Sequence, residues 1–373
     1  MVLKDLELVN FRLHRHTVLK FSDNLNYIVG GNGQGKTTVL ESIYYLCTTK
    51  NLNQYLDRET VNFNEDHFKI NGRFKDKVEN KVHIHFSKET NRKTTTLDDK
   101  NVNRASDLIG KFPVVTLVQS DHEITMGSPA ERRKFVDSVI SQSNETYLRI
   151  LLDYNKTLKQ RSQLLTEIRE RNDKNLLSQL DAWTESLVNN GAELIKHRQK
   201  FCNEFEDYLI DSYNKIMGGK EVPGINYLFF DTKINLENVE KEFRNKLNEE
   251  RENEIRRATN LIGPHRDDFF FTINDMELRK YGSQGQHKTF QIALRFGEFF
   301  FIKDKQGKTP IFLMDDVYGE LDTFRAQKIS EFLNEIGQAF ITMTDFGRLE
   351  KIYSGNGDLI IKVENGITSY EQL

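Results

Sequence analysis

The sequence predicts an α/β fold built on a mixed sheet, with a helical lobe inserted into it. Three observations carry this. An apolar run at 25–29 feeds Gly30-Gly31-Asn32-Gly33-Gln34-Gly35-Lys36-Thr37-Thr38, after which Val39, Leu40, Ile43, Tyr44 and Leu46 recur at helical spacing. Far downstream, Ile311-Phe312-Leu313-Met314 ends in two carboxylates, Asp315 and Asp316. Between them lies a long stretch whose apolar residues repeat every three or four positions, as in amphipathic helices.

The first element is strand, glycine-rich turn, helix. It matches G-x-x-x-x-G-K-[ST] in the context which that motif requires, with Gly30, Gly35, Lys36 and Thr37 at the fixed positions. Such glycines let the backbone curl until successive N–H groups and the helix N-terminus point at phosphates. Lys36 is expected to reach the β- and γ-phosphates and the Thr37 hydroxyl to ligate Mg²⁺. The strand ending at Asp315 supplies the complementary part, because the metal wants a carboxylate opposite that hydroxyl. Asp316 is placed to orient or deprotonate an attacking water. Asp315 follows Thr37 by 278 positions, so a long insert separates the two halves of one site.

The remaining chain fits around this frame. Leu3, Leu6 and Leu8, then Val18, Leu19 and Phe21, alternate as strands, with a cationic loop at 10–16 between them. Residues 48–112 read as a small antiparallel sheet, with hairpin breaks expected at Asn71-Gly72 and Asp98-Asp99-Lys100-Asn101, and 113–118 as a buried strand. At Ser128-Pro129-Ala130-Glu131 the texture turns helical, with Ser128 as cap and Glu131 completing a capping box. Apolar spacing through Leu151, Tyr154, Leu158, Leu165 and Ile168, broken only by Arg161, resumes at Leu180, Leu187, Leu194, Phe201 and Phe205 after a polar break at 171–175. This describes either an antiparallel helical hairpin or two ordinary helices of a helical lobe. Residues 225–230 suggest a strand; 236–258, with seven acidic and six basic residues, suggests a solvated helix. Sheet patterning returns at 268–273, with a turn at Asn274-Asp275. The expected division is 1–127 and 258–373 as two halves of a nucleotide-binding lobe, with 128–257 as the helical insert.

Composition narrows the class. The chain has 373 residues and a formal charge of −3, which does not announce a nucleic-acid binder but leaves room for a local basic stripe. No apolar run approaches the ~20 residues of a membrane span. The N-terminus mixes charges with apolar residues and lacks a signal-peptide core, so a cytoplasmic protein is expected. Cys47 and Cys202 lack metal-ligand spacing and read as buried apolar side chains.

Before Asp315 stands Tyr281-Gly282-Ser283-Gln284-Gly285-Gln286, and after it Gly319-Glu320-Leu321-Asp322. These resemble the signature loop and D-loop of ATP-binding-cassette ATPases, in the split arrangement of SMC-type heads. Further motifs are Val9-Asn10-Phe11-Arg12, Gly127-Ser128-Pro129 with Arg132-Arg133-Lys134-Phe135-Val136-Asp137, and Gly263-Pro264-His265-Arg266-Asp267-Asp268. With them the chain resembles the RecF family of bacterial recombination mediators along its whole length. The resemblance implies an ABC/SMC-type P-loop ATPase head that binds ATP and Mg²⁺. It implies a residue matching Ser283, with Gln284 and Gly285, that contacts ATP held by a second copy, so that ATP closes a head-to-head homodimer and slow hydrolysis reopens it. Asp322 joins this cross-dimer set, and Arg12 matches a residue near the nucleotide, an ordinary surface arginine being the alternative. Gln119 is a candidate metal neighbour, although Gln119-Ser120-Asp121 departs from the Pro-Glu-Asp more usual there. The transporter switch histidine is missing, leaving Thr344 or Asp345 as γ-phosphate sensor.

The resemblance further implies DNA as partner (single-stranded, duplex or gapped junction), RecR- and RecO-like mediators, a nucleoid-associated location, and roles in DNA repair, replication restart and the SOS response. Candidate phosphate contacts are Arg132, Arg133 and Lys134, and Arg92, Lys93, Lys100 and Arg104, with structural ion pairing as the alternative for the first cluster. His265 reads as a structural hinge. A transporter or nuclease-linked ATPase subunit is the competing reading, opposed by the missing switch histidine and by an insert too short for a long arm. A structural DNA-binding protein with a dead site is opposed by Lys36, Thr37, Asp315 and Asp316.

Overall fold

The computed structural model describes residues 1–53, 55–171, 175–229, 236–317, 322–344 and 357–371. The chain divides into two units, one of Met1–Asp121, Lys215–Gly218 and Gln291–Leu373, the other of His122–Asn214 and Gly219–Phe290.

In the first unit, period-2 alternation builds an antiparallel sheet from β1 (Val2–Phe11), β2 (His14–Lys20), β4 (His67–Lys75), β5 (Glu79–Ser87), β6 (Arg92–Leu97) and β7 (Lys100–Asn101), in the order β2-β1-β4-β5-β6-β7. A second sheet has the order β15-β14-β3-β13-β12-β8. It comprises β3 (Leu25–Val29), β8 (Val114–Leu117), β12 (Ile311–Asp315), β13 (Ala339–Met343), β14 (Leu359–Glu364) and β15 (Ile367–Glu371), with only β15 antiparallel to its neighbour. The strands β3, β8 and β13 are buried throughout, as their continuous apolar runs demand of a parallel sheet. Helix α1 (Lys36–Thr48) packs on both sheets, and Val39, Leu40 and Ile43 share one core with Leu3, Leu6, Phe68, Ile84, Leu313 and Phe340. The short α2 (Asp57–Thr60) and α10 (Thr323–Leu333) also belong to this unit.

The hairpin expected at Asn71-Gly72 is instead the middle of β4, and the chain reverses at 76–78. Gly72 is there for packing: a Cβ would lie 2.3 Å from Leu46 Cδ1 of α1. The turn at Asp98-Asp99 forms as expected, both residues having left-handed φ. Val18, one of the apolar residues of the expected strand, is 55% exposed, because β2 turns Thr17 and Leu19 inward.

The second unit contains α3 (His122–Met126), α4 (Pro129–Ser143), α5 (Glu145–Arg171), α6 (Leu176–Met217) as far as Asn214, β9 (Pro223–Leu228), α7 (Val239–Arg257), β10 (Asp268–Ile273), β11 (Met276–Glu277) and α8 (Leu278–Tyr281). Helix α9 (Gln284–Gln306) belongs to this unit as far as Phe290. Pro129 opens α4 as expected, but the Ser128 side chain makes no capping bond. The hairpin of long helices forms: Thr157 and Arg161 of α5 meet Ser186 and Thr184 of α6, so the helices run antiparallel, and Leu165, Ile168 and Leu180 seal their far end. Residues 172–174 and 230 of the predicted break and strand lie outside the described residues. Helix α7 is not solvated all round; Val239, Phe243 and Leu247 form a buried stripe that its charged majority conceals. The expected boundary at 257/258 also differs, because β10 pairs with β9 along its whole length, holding 268–273 to the second unit.

Arg161, which interrupts the apolar pattern, is the buried anchor of this bundle. Its NH2 donates to Glu254 Oε2 at 2.6 Å, NH1 to Asn260 Oδ1 at 2.6 Å and Nε to Thr184 Oγ1 at 3.0 Å. Glu254 is fully buried, and Glu254 Oε1 accepts from the Leu261 N–H. A buried charge stripped of its partner is strongly destabilising, whereas an apolar pair of similar volume is tolerated. Glu254→Ala is therefore expected to lower unfolding free energy by about 3–5 kcal/mol, read by urea denaturation, and the double change Arg161→Met with Glu254→Leu to recover most of that loss.

Candidate functional site

The glycine-rich turn leaves β3, pairs Gly30 N–H with Met343 O at 3.2 Å and enters α1 through Gly35. Gly33 and Gly35 have φ of 74° and 104°, where side chains are strained. Gly30 is needed for a different reason: a Cβ would lie 2.3 Å from the Val363 carbonyl oxygen of β14. The turn rests on residues far away in sequence. Gln34 accepts at its backbone oxygen from Gly366 N–H (3.0 Å) and at Oε1 from Asn365 N–H (2.6 Å). Fully buried His14 lies 3.1 Å from the Gly35 oxygen through Nε2 and 2.9 Å from Thr17 Oγ1 through Nδ1. Burial pushes the His14 pKa down, against the pull of the Gly35 and Gly366 carbonyls, so a neutral ring supports the turn.

Strand order then brings the two halves together. Because β3 and β12 flank β13 in parallel, the ends of all three meet at one edge. Asp315 Oδ1 accepts from Thr37 Oγ1 at 2.9 Å and from Thr342 Oγ1 at 2.7 Å. The Thr342 oxygen in turn accepts from Asp316 N–H at 2.9 Å. Asp316 sits at φ 50°, an uncommon conformation that Asp tolerates better than most. Lys36 Nζ donates to Gly31 O at 2.8 Å. Burial lowers the Lys36 pKa, while the Asp316 and Asp315 carboxylates hold it up.

Arg12, at φ 55°, reaches across the end of the turn. Its guanidinium grips buried Glu41 with two bonds of 3.0 and 3.2 Å and lies 4.4 Å from the Tyr55 ring centroid. Asn53 Nδ2 adds a 2.6 Å bond to Glu41. Burial raises the Glu41 pKa; Arg12 and Asn53 oppose this. Arg12, Asn32, Gly33, Gly35, Lys36, Thr37, Thr38, Asp315 and Asp316 line a cavity of about 310 Å³. A hydroxyl and a carboxylate oxygen 2.9 Å apart are hard donors suited to Mg²⁺, and the curled amides, Lys36 and Arg12 suit a polyphosphate. The residues present therefore fit both groups.

Not every predicted site residue joins this cavity. Gln119 is exposed two positions beyond β8, whose Leu117 pairs with Met314, and its segment is pinned by Arg295, which bonds Asp121 at 2.6 and 3.0 Å. Thr344 is exposed past the end of β13; it is Thr342, two residues earlier, that bonds Asp315. Asp345 and Gly319, Glu320 and Leu321 lie outside the described residues. Asp322 is the N-cap of α10, accepting from Arg325 N–H at 2.9 Å. Ser283 and Gln286 form a reciprocal capping box at the start of α9, with bonds of 3.2 and 2.9 Å, and Ser283 and Gln284 are exposed there beside half-buried Gly285.

The basic candidates separate sharply. Arg132 is 4% exposed, with two 2.8 Å bonds to Asp268 and one of 2.9 Å to Gly127 O. Arg133 donates to the Asp267 carbonyl at 2.5 Å. Lys93 donates to Tyr45 OH (2.9 Å) and Thr49 O (2.8 Å) and pairs with Asp57 at 3.0 Å, because β6 turns it to the core face. Burial of Arg132 and the three partners of the Lys93 ammonium thus give both a structural role. Arg92, Lys100 and Arg104 are exposed, as is Lys134, 3.8 Å from Glu131. His265 bonds Tyr154 OH (2.7 Å) and Asn260 O (3.3 Å), and burial pushes its pKa down to about 4, fitting a neutral structural ring.

Thr342, His14, Glu41 and the turn at 365–366 escaped the sequence reading. A lone hydroxyl in the apolar run Phe340-Ile341-Thr342-Met343 was the one available signal.

A family model for the RecF/RecN/SMC N-terminal domain matches residues 2–368. A DNA replication and repair protein RecF of Chloroherpeton thalassium is 38% identical over 356 residues, covering 92% of this chain and 95% of that protein. A solved structure of the recombination mediator protein RecF-ATPrS in the RecFOR pathway superposes with a TM-score of 0.87 at 30% identity, covering 100% of this chain and 98% of that one. An Smc head domain from Pyrococcus furiosus shares the fold, with a TM-score of 0.56 at 15% identity over 100% of this chain and 96% of that one.

Thr342→Val keeps the shape of the side chain but leaves the Asp316 N–H without its acceptor and Asp315 without one donor. The expected cost is about 1–3 kcal/mol of unfolding free energy, read by urea denaturation.

Proposed function

This chain belongs to the RecF family, and from that membership we propose that it is an ATP-switched, DNA-binding mediator of recombination and repair. The observation that carries the reading is the 2.9 Å bond between Thr37 and Asp315, which joins the two halves of a phosphate-and-metal site beside Lys36. In this reading Gly31, Asn32, Gly33, Gln34, Gly35 and Thr38 present the backbone to ATP. Lys36 exchanges its Gly31 carbonyl for phosphate oxygens, and Arg12, held rigid by Glu41, flanks the nucleotide. Thr37 and Asp315 hold Mg²⁺, whose charge would neutralise the phosphates.

Asp316 is the carboxylate that orients or deprotonates the water. Its backbone N–H is tied to Thr342, which bonds Asp315 through the same oxygen, so the base and the metal ligand are positioned as one unit. The expected activity is slow hydrolysis serving to reset a conformational switch.

Ser283 and Gln284 stand exposed at the start of α9, where the positive end of the helix dipole favours an anion. We assign them to the γ-phosphate of ATP bound by a second copy, and Asp322 to the same cross-dimer set, so that two ATP molecules close a head-to-head homodimer on DNA. Hydrolysis then releases the dimer. Recombinase loading at gaps with RecO- and RecR-like partners, replication restart and the SOS response follow from the same assignment. Exposed Arg92, Lys100, Arg104 and Lys134 are available for DNA phosphates.

Lys36→Ala is expected to weaken ATP binding roughly 10- to 150-fold, the equivalent of about 1.5–3 kcal/mol for charge-assisted bonds. Asp316→Asn should keep ATP binding and slow turnover about 10²–10⁴-fold, trapping the dimer in sedimentation. Ser283→Arg should bind ATP as the wild type does and stay monomeric. Wild-type dimers that form equally well without nucleotide would overturn the switch.

A further inference from the structure

The antiparallel sheet of the first unit has a core face and an open face. Leu6, Leu8, Phe68, Ile70, Val82, Ile84 and Phe86 point into the core. Alternation then turns Asp5, Glu7 and Val9 of β1, Lys69, Asn71 and Arg73 of β4, Lys81, His83 and His85 of β5, and Thr94 and Thr96 of β6 to the other side. Counting Lys20, Lys75 and Arg92, six basic side chains share this face with three carboxylates, Asp5, Glu7 and Glu79. Its net charge is +3 on a chain of formal charge −3. Arg73 takes up Asp5 and Glu79, and Glu7 bonds His16 at 3.0 Å and Asn71 at 2.8 Å, which leaves Lys20, Lys69, Lys75, Lys81 and Arg92 without an ion pair within 4.0 Å among the described residues. Four of the nine histidines, His16, His67, His83 and His85, also lie here.

These histidines are arranged. The His67 and His85 rings lie 5.7 Å apart, and Lys69 pairs with His85 across the β4–β5 ladder. A row runs Glu7, Asn71, His83 across β1, β4 and β5. Asn71 Nδ2 donates to Glu7 Oε2 at 2.8 Å, which orients the amide so that its oxygen accepts from His83 Nδ1. Neutral His83 therefore keeps its proton on Nδ1 and has Nε2 left to gain one. The groups that face these rings are His67, Lys69 and Asn71 from β4, Glu7 from β1, the neutral Thr94 and Thr96 from β6, and Lys81 on β5 itself. Partial burial lowers the pKa of both rings; Lys69 adds to this at His83 against the pull of Glu7, and His67, Lys69 and His83 add to it at His85. An anion arriving at this face reverses that balance, so proton uptake accompanies its binding.

We propose that the open face of β2, β1, β4, β5 and β6 binds the phosphodiester backbone of DNA, with Lys69, Lys81 and Arg92 as standing charges and His83 and His85 as charges acquired on binding. The proposal rests on the DNA-binding reading above and adds the surface and its pH dependence. Cations set on a strand lattice, about 4.8 Å across the strands and about 6.7 Å along them, suit contact with a phosphate backbone without sequence preference. The excess of cations, and of side chains that become cations, over unpaired carboxylates favours a polyanion over an acidic or apolar protein surface.

The test is fluorescence anisotropy of the full chain with ATP and a labelled duplex at about 0.1 M salt, between pH 8 and pH 6. Wild-type affinity should rise roughly tenfold or more on acidification, since each bound proton adds up to one log unit per pH unit. His83→Gln with His85→Gln should flatten that rise and leave the pH 8 affinity within about twofold. Lys69→Glu should weaken binding at every pH and reduce the salt slope by about one or more. Thermal melts and ATP binding unchanged from wild type show that these variants are folded. Wild-type-like DNA binding by all of them overturns the surface assignment and leaves the DNA reading standing. No DNA binding by wild type in any nucleotide state overturns both. Intact DNA binding with lost capture of a RecR- or RecO-like protein overturns the assignment in favour of a protein partner.

Discussion

One carboxylate oxygen organises the first unit. Asp315 Oδ1 receives hydroxyl donors from Thr37, at the start of the helix after β3, and from Thr342, on β13, which runs between β3 and β12. A partly buried carboxylate is costly unless its acceptors are filled, so the three segments must arrive in register or the charge is stranded. Parallel pairing sets that register, since Asp315 lies opposite Thr342 and Met343 opposite Val29. The same contacts put lysine, hydroxyl and two carboxylates around one cavity, which makes the stability of the sheet edge and the chemistry of the site a single requirement.

The phosphate turn depends on a second set of distant contacts. Its glycines are free to curl, but a flexible loop presents no fixed array of amides. Rigidity comes from below, through buried His14, the Gln34 bonds to Asn365 and Gly366, and the close approach of Gly30 to Val363. Gly366 is itself constrained, with φ 75° and a Cβ position 2.5 Å from the Leu13 oxygen. An early strand and the final hairpin thus hold the turn from two directions, a preorganisation that a bound polyphosphate does not have to supply.

In the second unit, charge is used as internal structure. The motifs around 132–137 and 263–268 bond each other: Arg132 to Asp268, Arg133 to the Asp267 carbonyl, and Asp137 through Arg198 to the Pro264 carbonyl. Arg198 is fully buried; burial alone would lower its pKa, but Asp137, Tyr147, Tyr227 and Asp267 hold it well above the ordinary value. Burial in turn pushes the Asp267 pKa up to about 7 against the attraction of Arg198. Such a network specifies one arrangement of helices and strands, since any slip leaves a buried charge unpaired. Arginine in a recognisable motif is accordingly weak evidence for a nucleic-acid contact unless its donors are free.

How much was legible in the sequence follows from what kind of constraint each residue carries. The strand, turn and helix around Lys36, the strand delivering Asp315, the long helical hairpin and the β10–β11 turn were all readable, because local periodicity and glycine, proline or asparagine chemistry determine them within a few residues. The partnership of Thr37 with Asp315 was readable too, since a hard metal needs both. Gly72 misled because its reason lies across the core, at Leu46, and Val18 because only the pairing of β2 decides which alternate residues face inward. The fates of Arg132, Lys93 and Arg161 turned on carboxylates and carbonyls brought close by the fold. The sequence alone determined which chemical groups the protein owns and which short elements carry them; tertiary structure alone decided which charges are consumed in the interior and which remain for solvent or a partner, because that depends on distances between residues scores to hundreds of positions apart.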